Sequence, residues 1–188
     1  MLTKNYKKLV AMCTDYANSS YGEESATKDT EYEITDVLGA TYLAKFNNNR
    51  IVTSTIAQGI SLWNANHLAS IDAPRREGIH FGDGSSVSED DYYLTGNRIT
   101  TISTTSVQEV ILDGNIINKK IVFTISNTGT DDITISEIGL VGQFTRHYNT
   151  SATASEYLLL EHTLLNEPVI IPAGGVGQVT YTITFNFA

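Results

Sequence analysis

Val179-Thr180-Tyr181-Thr182-Ile183-Thr184-Phe185-Asn186-Phe187 alternates without a break. Val179, Tyr181, Ile183, Phe185 and Phe187 fall on one side of an extended chain, and Gln178, Thr180, Thr182, Thr184 and Asn186 on the other. Successive strand side chains point to opposite faces. The pattern therefore predicts a strand with one buried and one wetted face, as antiparallel sheets have.

The same logic extends towards the N-terminus. Ile116 to Ser126 sets Ile121, Phe123 and Ile125 on one face, with Lys120, Thr124 and Ser126 largely on the other. Ser106 to Leu112 precedes it, and Asp113-Gly114 between them supplies the positive φ angles of a tight hairpin. Ile133 to Val141 breaks the period: Ile133 and Ile135 share one phase, Ile138 and Leu140 the other. A β-bulge near Ser136-Glu137 would return both pairs to one face. Tyr157 to Leu165 reads as a further strand, Gln143 to Ser155 as a long polar loop, and Pro168 to Pro172 with Ala173-Gly-Gly175 as a turn. At least five strands spaced by turns, with no βαβ pattern, predict a mainly β, antiparallel β-sandwich.

The first half is less regular. Tyr6, Leu9, Val10, Cys13, Tyr16 and Ala17 recur at helical spacing, which predicts a short N-terminal helix with Lys4, Lys7, Lys8 and Asp15 off its apolar stripe. A helix this short needs something to pack on, and its own domain is the simplest partner. Asn18 to Thr30 reads as a linker. Residues 1–30 thus form a helix and linker arm and residues 31–188 the sandwich domain. Tyr32 to Leu38, Gly39 to Phe46 and Ile51 to Ile56 read as strands, and Ile60 to Ile71 as a short helix or irregular segment.

Composition bounds the function. The chain has 188 residues, 41% of them hydrophobic, which suits one globular domain. Twelve basic against 21 acidic side chains give a formal net charge of -9. Such a chain repels phosphate, which argues against a nucleic-acid partner. One cysteine, Cys13, permits no intramolecular disulfide, and the Cys and His ligands of structural zinc are too few. No apolar run has the length of a secretory signal or a membrane span, so no membrane partner is expected. Without such a signal, the sequons at Asn18 and Asn149 read as chance matches.

No motif carries chemistry. His67, His80, His147 and His162 show no metal spacing, and no G-x-S-x-G elbow is present. A Ser-His-Asp triad would have to assemble from distant residues. Gly82-Asp-Gly-Ser-Ser lacks the G-K-[ST] ending of a phosphate loop. Glu89-Asp90-Asp91, with Asp83 nearby, offers hard oxygen ligands but not EF-hand spacing, and reads as a solvated face. Arg75-Arg76 reads as a surface pair. No catalytic, cofactor-binding or metal-binding residue is therefore assigned, and no cofactor is expected.

Gly78-Ile-His-Phe-Gly-Asp-Gly-Ser-Ser, Asp91-Tyr-Tyr-Leu, Ile133-Thr-Ile-Ser-Glu-Ile-Gly-Leu, Leu158-Leu-Leu-Glu-His-Thr, Pro168-Val-Ile-Ile-Pro-Ala-Gly-Gly and Val179-Thr-Tyr-Thr-Ile-Thr-Phe follow one another in that order. The series, with the opening Met-Leu-Thr-Lys-Asn-Tyr, resembles small structural proteins of tailed bacteriophages. The resemblance implies an immunoglobulin-like or jelly-roll-like sandwich in the virion. It also implies a non-enzymatic capsid, neck or tail component, present as a homo-oligomer that contacts copies of itself and other virion proteins. Residues 1–17 would then be an attachment arm. An alternative expectation is a carbohydrate- or receptor-binding module on an exposed fibre or tip, with Trp63, Tyr92, Tyr93 and Tyr148 stacking on sugar faces.

Overall fold

A computed structural model describes residues 1–17, 32–44, 77–147 and 153–186. In chain order these form α1 (Lys4–Ala17), β1 (Tyr32–Thr35), β2 (Thr41–Ala44), β3 (Gly78–Gly82), β4 (Ile102–Asp113), β5 (Ile116–Asn127), β6 (Ile133–His147), β7 (Thr153–Ile171) and β8 (Val176–Asn186). All pairings are antiparallel. One sheet has the order β3-β6-β7, a second β4-β5-β8, and β1-β2 form a small hairpin. The β3–β6 pairing spans the β4–β5 hairpin in the chain, and the β5–β8 pairing spans β6 and β7. The two sheets of the β-sandwich are therefore interleaved along the chain.

Alternation decides what lies between them. Ile121, Phe123 and Ile125 of β5, with Val179 and Tyr181 of β8, pack against Ile79, Phe81, Ile138, Leu140, Leu158 and Leu160 of the facing sheet. Phe81 and Phe123 meet edge to face at 5.3 Å, the geometry ring quadrupoles favour. Lys119 follows the inward phase of β5 and is buried too, and burial holds its ammonium below the usual lysine range. Gly114 takes φ +57° in the turn after Asp113, as a tight hairpin requires.

The phase break in β6 is resolved as the sequence suggested. Pairing shifts between Ile135 and Glu137, and Ile135, Ile138 and Leu140 all enter the same core. The extra residues lie on the opposite strand: Ile135 pairs with Val169, but Glu137 already pairs with Leu164. Pro168 falls in this unpaired stretch, where its missing N–H costs no ladder bond.

Several boundaries differ from the sequence reading. Within the stretch from Gln143 to Ser155, residues 143–147 and 153–155 are strand, because β6 and β7 stay paired out to His147 and Thr153; backbone pairing persists there despite polar side chains. β7 likewise runs through Pro168 to Ile171, and β4 begins at Ile102. β1 stops at Thr35, because Asp36 Oδ1 accepts the amides of Leu38 and Ala40, both at 2.9 Å, and turns the chain. The predicted linker, the strand at Ile51 to Ile56, the segment Ile60 to Ile71 and the Arg75-Arg76 pair lie outside the described residues.

Helix α1 is joined to the sandwich at its first turns. Residues 1–3 run along β7, with Thr3 N donating to Leu160 O (3.1 Å) and His162 N to Met1 O (3.0 Å). Thr3 Oγ1 donates to Leu159 O. The Asn5 amide pairs with Thr35 as a strand would: Nδ2 donates to Thr35 O at 2.7 Å, and Thr35 N donates to Oδ1 at 3.1 Å. Leu9 enters the core with Tyr6 beside it, whereas Val10 is exposed. Leu9→Ala is expected to lower the unfolding free energy by about 2 kcal/mol, read from a denaturant curve. Deletion of residues 1–17 should cost more than the point substitution, because buried Thr3 and Asn5 go with it. A truncated chain as stable as the full one would show that the helix is dispensable to the fold.

Candidate functional site

The polar centre of the molecule is Glu137. Its position in β6 follows from the phase break: Ile135 and Ile138 both turn inward to the sandwich core, and Glu137 between them points to the other side. There the loop between β3 and β4 folds over it. Oε1 accepts the backbone amides of Gly84 (3.0 Å) and Gly96 (2.8 Å), and Oε2 accepts the Thr95 amide (3.0 Å) and hydroxyl (3.1 Å). Glu137 is fully buried. A Cβ at Gly84 would lie 2.6 Å from Glu137 Cδ, so the backbone reaches the carboxylate only because no side chain intervenes.

His162 of β7 completes the cluster and is also fully buried. Its Nε2 lies 2.7 Å from Glu137 Oε2 and its Nδ1 2.8 Å from Asp91 Oδ2. Carboxylate oxygens only accept, so both contacts are satisfied when each ring nitrogen carries a hydrogen. Asp91 Oδ2 also accepts the Ser88 amide at 2.6 Å. Burial by itself would raise the Glu137 pKa. The Gly96 and Thr95 amides, His162 and the Thr95 hydroxyl outweigh it and hold the carboxyl below its ordinary value of 4.5.

The Gly-rich segment is thus an anion cradle filled by the chain's own carboxylate. The acidic run is divided among separate partners. Glu89 pairs with Lys7 and Asp90 with Lys4, both on α1. Asp91 goes to His162, and Asp83 accepts the Asn97 amide at 2.6 Å. Among the described residues no group of three or more His, Cys, Asp and Glu side chains is arranged to hold a metal ion.

The arrangement places an imidazole between two carboxylates, which resembles part of a catalytic relay. The one hydroxyl bonded to Glu137 among the described residues, Thr95 Oγ1, is shared with the Ser86 carbonyl at 2.9 Å. Its hydrogen is already committed, and His162 has no exposed atom to offer a substrate. His80 is likewise buried, with Nδ1 2.8 Å from Tyr93 Oη, and burial pushes the Tyr93 phenol up to about 12. Tyr92 is exposed and packs on Gly39, so the neighbouring tyrosines do not form one platform. Trp63, His67, Tyr148 and the side chain of His147 lie outside the described residues.

No sequence motif announced this cluster, but a signal existed. Glu137 and His162 both stand inside apolar runs, and a charge in such a run must be paired.

The lowered pKa has a defined consequence. A carboxyl whose folded pKa lies below its unfolded one stabilises the fold fully above the unfolded value, and that contribution is lost as the pH falls through the folded one. Glu137→Gln is therefore expected to lose about 3 kcal/mol near neutral pH. It should also lose less further stability than the parent when the pH is taken below 4.5. Denaturant midpoints measured across that range check both signs. Parallel acid limbs for the two proteins would show that Glu137 is not the group involved.

No helix among the described residues is long and apolar enough to cross a membrane. No family model, curated protein or solved structure matches the chain.

Proposed function

We propose that this chain is a non-enzymatic structural subunit that assembles in repeated copies, of the kind found in tailed-bacteriophage virions. The observation that carries the reading is the closure of the Glu137–His162–Asp91 cluster on itself. Glu137, His162 and Asp91 are spent on holding a loop and two strands together. That use favours rigidity over turnover. A rigid sandwich with Ser- and Thr-rich outer faces suits a part that is packed many times in one assembly, where each contact can be weak because it is repeated.

The net charge of -9 fits contacts with protein better than contacts with packaged nucleic acid. The segment resemblance noted in the sequence points to the virion as the assembly. Under this reading the protein is a stoichiometric component of particles made from the genome that encodes it. Mass spectrometry of density-purified particles should find it in multiple copies per particle. Its absence from particles, with abundant free protein in the producing cells, would overturn the proposal.

A further inference from the structure

The two sheets treat their edges differently. In the β3-β6-β7 sheet both outer strands are partly covered by the chain itself. Residues 1–3 lie along β7, and on β3 the Ile99 amide donates to Phe81 O at 2.9 Å beside a Gly82–Arg98 bridge. In the other sheet β4 is an outer strand of 12 residues that, among the described residues, is bonded to β5 alone. Among the described residues nothing pairs with its outward-facing N–H and C=O groups.

Its side chains are equally unprotected. Val107 is 75% exposed, Leu112 73% and Val110 55%, with Ile111 also exposed. Exposed edges in soluble proteins are usually blunted by Lys, Pro, a bulge or a cover. Between Ile102 and Leu112 there is no Lys, Arg or Pro, and the pairing with β5 runs without a shift. The opposite edge, β8, exposes mainly Thr and Gln among the described side chains, of which Val176 is the one exposed large apolar residue.

We infer that β4 is the self-association edge, where a second copy of this chain adds its own β4 antiparallel about a two-fold axis. This rests on the proposed assembly role and names the surface that serves it. The charge pattern selects the occupant. The chain is strongly acidic, yet Ile102 to Leu112 carries one charge, Glu109, so two copies approach along β4 with little repulsion. The register follows from the same residue. An axis at Glu109 would oppose the two Glu109 side chains, and an axis at Ile111 would oppose Glu109 to Asp113. An axis at Val107 uses all of Ile102 to Leu112. It sets Val107 against Val107, Leu112 against Ile102, and Glu109 against Thr105. Directly opposed residues of an antiparallel pair share a face, so these contacts stack on the two surfaces of one continuous six-stranded sheet.

Light scattering after size exclusion, on the full chain and on Val107→Asp, tests the inference. The parent is expected to be a dimer. In Val107→Asp two carboxylates face each other at the axis, and the dissociation constant should rise by about tenfold or more. Because Val107 points into solvent within one chain, its circular dichroism and unfolding midpoint at dilute concentration should not change. A Val107→Asp protein that keeps the parent's mass and affinity overturns the β4 interface and leaves the assembly role standing. A parent that stays monomeric at the highest soluble concentration also overturns the interface, and the assembly role then depends on the particle measurement alone.

Discussion

Glu137 lies out of water where β6, β7 and the loop between β3 and β4 converge, and its low pKa means that it is charged there at neutral pH. An ionised carboxylate in such a place is tolerable only when every lone pair is used. Three backbone amides, a hydroxyl and an imidazole use them. Remove the carboxylate and those amides become orphaned donors in a closed space. Remove the amides and a bare charge is left in the interior. The two halves of the arrangement therefore hold each other in place.

Much of the molecule follows from that constraint. With residues 84, 95 and 96 fixed on Glu137, the intervening run is presented at a set position. Asp91 then reaches His162, and Glu89 and Asp90 reach Lys7 and Lys4. The loop thus joins the helix to the sheet through charged pairs. The exposed Lys pairs contribute little energy individually, whereas Thr3, Asn5 and Leu9 supply the packing. Near the start of β6, Asn127 does comparable work with neutral groups: its Nδ2 donates to the Asp131 carbonyl at 2.8 Å and lies 3.1 Å from those of Ile171 and Pro172.

How much of this was legible in the sequence depended on range. The phases of β5 and β8, the Asp113-Gly114 hairpin and the break in β6 were visible because each is a pattern within one strand. The lengths of β6 and β7 were hidden, since backbone pairing extends a strand through polar residues that composition assigns to a loop. Pro168 read as a turn because the irregular pairing with β6 that accommodates it within β7 cannot be seen from one strand alone. The cluster was hidden most of all. His162 is 25 residues from Glu137 and 71 from Asp91, and no spacing rule links residues across that distance. Gly82-Asp-Gly-Ser-Ser lacks the ending of a phosphate loop, and nothing in it showed that its backbone serves the protein's own carboxylate.

Glu137 is the point on which the loop, the helix contact and the strand geometry depend. Native-state hydrogen exchange at the amides of Gly84, Thr95 and Gly96 tests this most directly. These loop amides are expected to exchange only through global unfolding, with the same opening free energy as Phe123 and Ile125 in the core of β5. Exchange at the rate of an ordinary surface loop, while β5 stays protected, would contradict it.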